Sequence, residues 1–154
     1  MIIQEMTHDA CMAFLKQHRL GRIACTHEGQ PYITPSYFAA VDGYLYAFGT
    51  LGHKISWMRT SPLVCVAVDE IETSERWSSV VVMGSYEELA AGSQYERFRL
   101  KAFSLFQQHA VWWEPGFGRT TNAQGDERTL EPLYYRIRID KVSGLAASPS
   151  YKQP

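Results

Sequence analysis

Cysteine is scarce and unpaired in this sequence: Cys11, Cys25 and Cys65 are odd in number, scattered, and form no Cys-x-x-Cys motif. That excludes a disulfide framework and gives no support to a zinc site, so the three thiols are expected to be small core residues. Charge of one sign is equally lacking. Fifteen Lys and Arg against sixteen Asp and Glu leave a formal net charge of −1, and the one basic cluster, Arg97, Arg99 and Lys101, is diluted by Glu96. Neither nucleic acid nor an anionic membrane surface is therefore an expected partner. No apolar run approaches the length of a bilayer span, and Met1 to Met6 lacks the charged and apolar regions of a secretion signal, so a cytoplasmic location is expected. His8, His18, His27 and His109 have no paired ligand spacing, no Ser-His-Asp set can be argued from spacing, and no Gly-x-Gly-x-x-Gly follows a strand-like run. A metal site, a hydrolytic triad and a dinucleotide-binding fingerprint are thus not expected.

Apolar residues are plentiful, at 45% of 154 residues, which suits a single domain spanning 1–154 with a real core. Thr7 and Asp9 are candidate caps for a helix through His18, in which Cys11, Phe14, Leu15 and His18 share one face. From Leu20 the apolar period shortens to two. Residues 20–27 and 31–40 read as a hairpin around Glu28-Gly29-Gln30, and Asp42-Gly43 turns the chain into a third strand over 44–48. Residues 63–68 form a buried strand, 69–75 a polar loop, and 77–89 a long strand with a bend or bulge at Gly84. Ser93 is placed to cap a second helix to about His109. Residues 110–132, with Trp112-Trp113-Glu114-Pro115-Gly116, are irregular, and a last strand runs over 133–142. About six short strands with two or three helices fit a small antiparallel barrel with helices at its ends.

The stretch from Thr50 to Pro62 carries the chemistry. It reads as a short helix opening directly after a strand, with Gly49 and Gly52 allowing a tight turn, Thr50 offering a hydroxyl and Lys54 a cation. The first amides of such a helix point outward where its dipole favours an anion, and a phosphate would suit them. An ordinary capped helix with a solvated lysine has the same residues.

The order of the pieces is more specific than any one of them. Leu20-Gly21-Arg22-Ile23-Ala24, Gly29-x-Pro31-x-x-x-Pro35, Asp42-Gly43-x-Leu45-Tyr46, Gly52-His53-Lys54, Ser61-Pro62-x-Val64 and Trp77-x-Ser79-Val80-Val81-Val82-x-Gly84 follow one another along most of the chain. The set resembles the pyridoxamine 5'-phosphate oxidase-like FMN-binding split barrel. Gly52-His53-Lys54, the Trp112-Trp113 segment and Arg136-Ile137-Arg138-Ile139 are most similar to the branch that includes nitroimidazole-resistance reductases.

The resemblance implies a mainly β fold with α (α+β), a six-stranded antiparallel split β-barrel with flanking helices, assembled as a homodimer with FMN in two equivalent interface grooves. It implies that Thr50, His53 and Lys54 surround the FMN phosphate and that Pro35, Ser36, Tyr37 and Phe38 run along the isoalloxazine ring. Ser79 would reach the ring's polar edge, while Trp112 and Trp113 would complete the groove of the other subunit. His53 is the candidate catalytic group, as an imidazole able to give a proton to a reduced nitro group, or else it only binds phosphate or caps the helix. The implied activity is an FMN-dependent oxidoreductase passing electrons from NADH or NADPH to a small electron-poor, nitroaromatic-like acceptor. Non-catalytic flavin-binding and haem-binding proteins share the fold and are the alternatives. The chain ends Ser148-Pro149-Ser150-Tyr151-Lys152-Gln153-Pro154. The longer basic C-terminal strand of true pyridoxamine phosphate oxidases is not matched there, which argues against vitamin B6 oxidation.

Overall fold

The computed structural model describes residues 1–108, 119–129 and 133–150. Its elements in order are β1 (Ile2–Glu5), α1 (His8–Gln17), β2 (Leu20–His27), β3 (Gln30–Val41), β4 (Tyr44–Gly49), α2 (His53–Thr60), β5 (Leu63–Thr73), β6 (Arg76–Glu88), α3 (Glu96–Gln107), β7 (Arg119–Thr121), β8 (Glu127–Thr129) and β9 (Leu133–Ser148). Two hairpin turns set the register of the first sheet. Glu28-Gly29 and Asp42-Gly43 both have positive φ at each central residue, the geometry whose twist matches paired strands, and only glycine takes φ +78° at the second position without strain.

The strands run in the order β1-β9-β4-β3-β2-β5-β6, and β6 also pairs with β9, so six of them close a barrel and β1 adds to the far half of β9. The expected mainly β split barrel with flanking helices is the observed fold. Alternation then sorts the side chains. Ile23, Cys25, Phe38, Leu45, Val66, Val68, Val80, Val82, Tyr135 and Ile137 fill the barrel, with α1 and α2 adding Leu15, Ile55 and Met58. A second apolar cluster lies outside, where Tyr37, Tyr46, Phe48 and Tyr134 meet Ala102 and Phe106 of α3. Ile55 and Met58 are fully buried, and each such side chain contributes about 1.5–3 kcal/mol toward holding α2 against the barrel.

Gly84 is the bend that the sequence suggested. Between Met83 and Gly84 the β6–β9 ladder slips by one residue. A Cβ there would collide with the Arg138 carbonyl oxygen and come within 2.6 Å of Ile137 Cγ2, so the two strands approach too closely for any other residue.

Local expectations fail in several places. Residues 69–73 continue β5 rather than forming a loop, because all but Glu72, at a bulge, pair across to β6 even though their side chains face water. Helix α3 opens at Tyr95 without a side-chain cap, and the Ser93 hydroxyl instead accepts from Tyr95 N at 3.1 Å, one turn early. Part of the segment taken as irregular is the β7–β8 hairpin. Strand β9 runs on to Ser148 because β6 and β1 both pair with its second half. The short, exposed β1 carries too weak a pattern to be seen in the sequence. Trp112 and Trp113 lie outside the described residues. Among the described residues no helix is long and apolar enough to cross a membrane.

Candidate functional site

The barrel is split where β3 leaves β4. Their ladder covers only Phe38–Val41 against Tyr44–Ala47, whereas β3 stays paired with β2 from Gln30 through Tyr37. Over Pro35–Tyr37, β3 therefore lies outside the ladder with β4. Ser36 and Phe38 point into the barrel and Tyr37 packs outward against α3, so all three side chains are buried, while Pro35 is exposed.

Thr50, half-buried, follows β4, and α2 begins three residues later. Its first intrahelical bond runs from Ser56 N to Gly52 O at 2.9 Å, and no side chain caps it. The amides of the first turn therefore have no intrahelical acceptor and face outward at the positive end of the helix dipole. The expected tight turn at the two glycines is absent. Gly49 is a strand residue paired with Leu133, and Gly52 is fully extended (φ −174°), a conformation open to any residue.

His53 and Lys54 leave this turn in different directions. Lys54 is half-buried, with its ammonium 5.9 Å from the centre of the Tyr135 ring inside the barrel mouth. Burial pushes the Cys25 thiol up, and the nearby Lys54 charge partly offsets this. His53 is exposed, with its ring 6.0 Å from that of Trp57. Trp57 also stacks on His27 at 5.4 Å and meets Tyr32 edge-on at 5.6 Å, so α2 lies against the tip of the β2–β3 hairpin.

Polar groups that sequence reasoning missed complete the floor. Ser36 Oγ and the Tyr135 hydroxyl share a hydrogen bond of 3.0 Å. Tyr86, whose ring is 5.4 Å from that of Tyr135, donates to Glu88 at 2.9 Å, and Arg59 of α2 grips the same carboxylate through Nε and Nη2 at 2.7 and 2.8 Å. The Arg59 guanidinium holds the Glu88 carboxyl below its ordinary range, and burial raises the Tyr86 phenol. The one signal of this floor in the sequence was a tyrosine at the inward position 135 of an otherwise apolar alternation.

Lys54 and Ser36 therefore converge on Tyr135 at the split, while Thr50 and His53 share the β4–α2 junction and His53 turns toward Trp57. Ser79 joins neither group. It sits on the outer face of β6 opposite Asp69, with β2 and β5 between it and β3, roughly 14 Å at about 4.8 Å per strand. Its neighbours there are Val81 and Leu145.

A closed six-stranded barrel split beside a helix start defines the class, and the comparisons place the chain within it. The profile of the pyridoxamine 5'-phosphate oxidase family matches residues 7–146, and the chain belongs to that family. An uncharacterized protein of Rhizobium meliloti (strain 1021) is 34% identical over 96% of this chain and 97% of its own. The crystal structure of an FAD-binding protein from Mesorhizobium loti superposes with a TM-score of 0.80 at 40% identity, covering 96% of this chain and 100% of that one. A proposed 5-nitroimidazole antibiotic resistance protein from Bacteroides thetaiotaomicron shares the fold, with a TM-score of 0.64 at 15% identity over 95% of this chain and 89% of that one.

Proposed function

We propose that this chain is a flavin-dependent oxidoreductase that binds its cofactor through the FMN unit, with the phosphate at the start of α2 and the ring along the open edge of β3. The observation that carries this is the split itself: β3 joins the β4 ladder only from Phe38 onward, α2 opens just after β4 without a side-chain cap, and Lys54 and Ser36 both approach Tyr135. Isoalloxazine needs flat apolar contact and a few polar partners, which a strand edge supplies without special side chains, and a phosphate needs amide donors and a cation. The residues present fit the group. The Mesorhizobium relative's description as FAD-binding is consistent, since FAD contains the FMN unit.

When bound, the flavin would take a hydride from NADH or NADPH and pass electrons to a small, flat, electron-poor acceptor of the nitroaromatic kind. The chain's own part is to orient the ring by backbone contacts, neutralise the phosphate through Lys54 and the helix start, and offer His53 as an exposed proton donor. The working unit in this proposal is a homodimer. Leu145, opposite Ser79 on β9, and Met83 and Leu63 farther along the same outer face of β6 and β5 are exposed by 44%, 55% and 73%, apolar side chains that an isologous copy would cover. Covering them would also bring Ser79 to the partner's flavin.

A visible spectrum of the purified protein tests the cofactor: flavin bands support the proposal, and a haem Soret band replaces it. Anaerobic mixing of the flavin-loaded protein with NADH or NADPH then separates an enzyme, which bleaches, from a flavin carrier, which does not. Sedimentation showing a monomer that still holds flavin tightly would remove the shared groove.

A further inference from the structure

A cavity of about 420 Å³ opens where the chain passes from α1 into β2 with β5 alongside, and nothing in the flavin reading accounts for it. Its volume lies within the roughly 300–1,000 Å³ of small-molecule sites. Arg19 and Arg22 line it, and both differ from most arginines of this chain. Arg59, Arg76, Arg99, Arg136 and Arg138 are each paired with a carboxylate. Among the described residues the guanidinium groups of Arg19 and Arg22 make no hydrogen bond, ion pair or ring contact, although Arg19 is half-buried. A guanidinium has five N–H donors in a fork that matches a carboxylate, and here two such forks are unshared.

The rest of the lining leaves the cavity cationic. Asp69 stands on the same wall and is likewise unpaired among the described residues, so two cations oppose one anion there. His18 is already engaged. Its ring stacks on Phe14 at 3.9 Å, Nδ1–H donates to the Phe14 carbonyl at 2.7 Å, and Nε2 faces Glu70 at 3.5 Å.

The cavity adjoins the segment of β3 that receives the ring in the flavin reading. Leu20, Gly21 and Arg22 pair with Tyr37, Ser36 and Pro35, and Phe38 N donates to Arg19 O at 2.8 Å, which fixes both arginines alongside that segment. Arg22 and Pro35 are directly opposite and both exposed on the outer face, an arrangement in which Cβ atoms are about 4.5–5.5 Å apart. A molecule lying against a ring held at Pro35–Phe38 is therefore one to two strand widths, about 5–10 Å, from the two guanidinium groups.

We propose that this cavity anchors the carboxylate of an aromatic acid, so that the acceptor preferred at the flavin is an anionic aromatic compound rather than a neutral one. The proposal rests on the flavin reading above. No bond forms or breaks at the arginines, which bind the acceptor and orient it. The probes 4-nitrobenzoate and 4-nitrobenzamide, alike in ring, nitro group and size but not in charge, test it on the flavin-loaded full chain. Calorimetric titration of the oxidised protein at low salt is expected to give at least about tenfold tighter binding of the benzoate, and stopped-flow reoxidation of the reduced protein the same order of preference. Arg22→Gln should abolish the preference while flavin affinity changes less than about twofold, and Asp69→Asn, which removes the opposing charge, should strengthen binding of the benzoate alone. Equal binding of the two probes, or an Arg22→Gln protein that keeps the preference, overturns the anion site and leaves the flavin reading intact. A protein that takes up no flavin overturns both.

Discussion

Ser36 on β3 and Tyr135 on β9 share a 3.0 Å hydrogen bond inside the barrel, on strands that are not neighbours in the sheet. Ser36 is 3% exposed and Tyr135 fully buried, so each satisfies a group that water cannot reach. Tyr135→Phe strands the serine hydroxyl and is expected to cost about 1–3 kcal/mol in denaturant unfolding, whereas adding Ser36→Ala should recover part of the loss. Effects of Tyr135→Phe and Ser36→Ala that simply add in the double variant would show that the pair is not coupled.

Arg136 is the anchor of α3. Its guanidinium lies 3.8 Å from the centre of the Tyr44 ring and 4.0 Å from that of Phe98, while Nε donates to Glu87 at 2.6 Å. With the side chain 6% exposed, removing it leaves a carboxylate without its cation and two rings without their contact. Arg136→Ala is expected to lose about 3–5 kcal/mol, and Arg136→Lys less, because an ammonium keeps the charge but not the planar stack. Thermal melts of both variants give the ranking.

Acid should act on the start of α3. Bonds from Arg99 and then from the Gly92 amide hold the Glu96 carboxyl down at about 2, against an ordinary value of 4.5. A carboxyl with a depressed folded value stabilises fully above its unfolded value and loses that contribution as pH falls through the folded one. The melting temperature of wild type should therefore exceed that of Glu96→Gln at neutral pH, with the difference shrinking from about pH 4.5 and vanishing near pH 2. A constant difference across that window would contradict the assignment.

Lys54→Ala should weaken flavin binding by about 1.5–3 kcal/mol, the range for a hydrogen bond to a charged group. Flavin fluorescence at moderate salt measures it. Unchanged affinity would take Lys54 out of the site.

His53→Gln separates proton donation from binding. As a general acid His53 should leave flavin bound but slow reoxidation by a nitro compound by about a hundredfold or more, and the wild-type rate should titrate with the imidazole. Stopped-flow reoxidation at several pH values reads both. A flat profile with the wild-type rate would reduce His53 to part of the binding cradle.

The family and the strand pattern were legible in the sequence because they depend on local signals: period-two alternation, the Asp42-Gly43 turn, the glycine at 84 and the Gly52-His53-Lys54 junction. Long-range pairing was not. Asp69 to Thr73 looks like a loop by composition and is strand because β6 offers it partners, and Ser79, assigned to the flavin along with Lys54, stands on β6 with two strands between it and β3. The same limit applies to direction: Lys54 turns beneath the barrel toward Tyr135 while its neighbour His53 turns out toward Trp57. Local sequence sets which residues alternate and where the chain turns. Which edge opens as the split and which polar groups meet across the barrel follow only from closing six strands into one sheet, since that closure joins residues whose separation in the chain carries no signal.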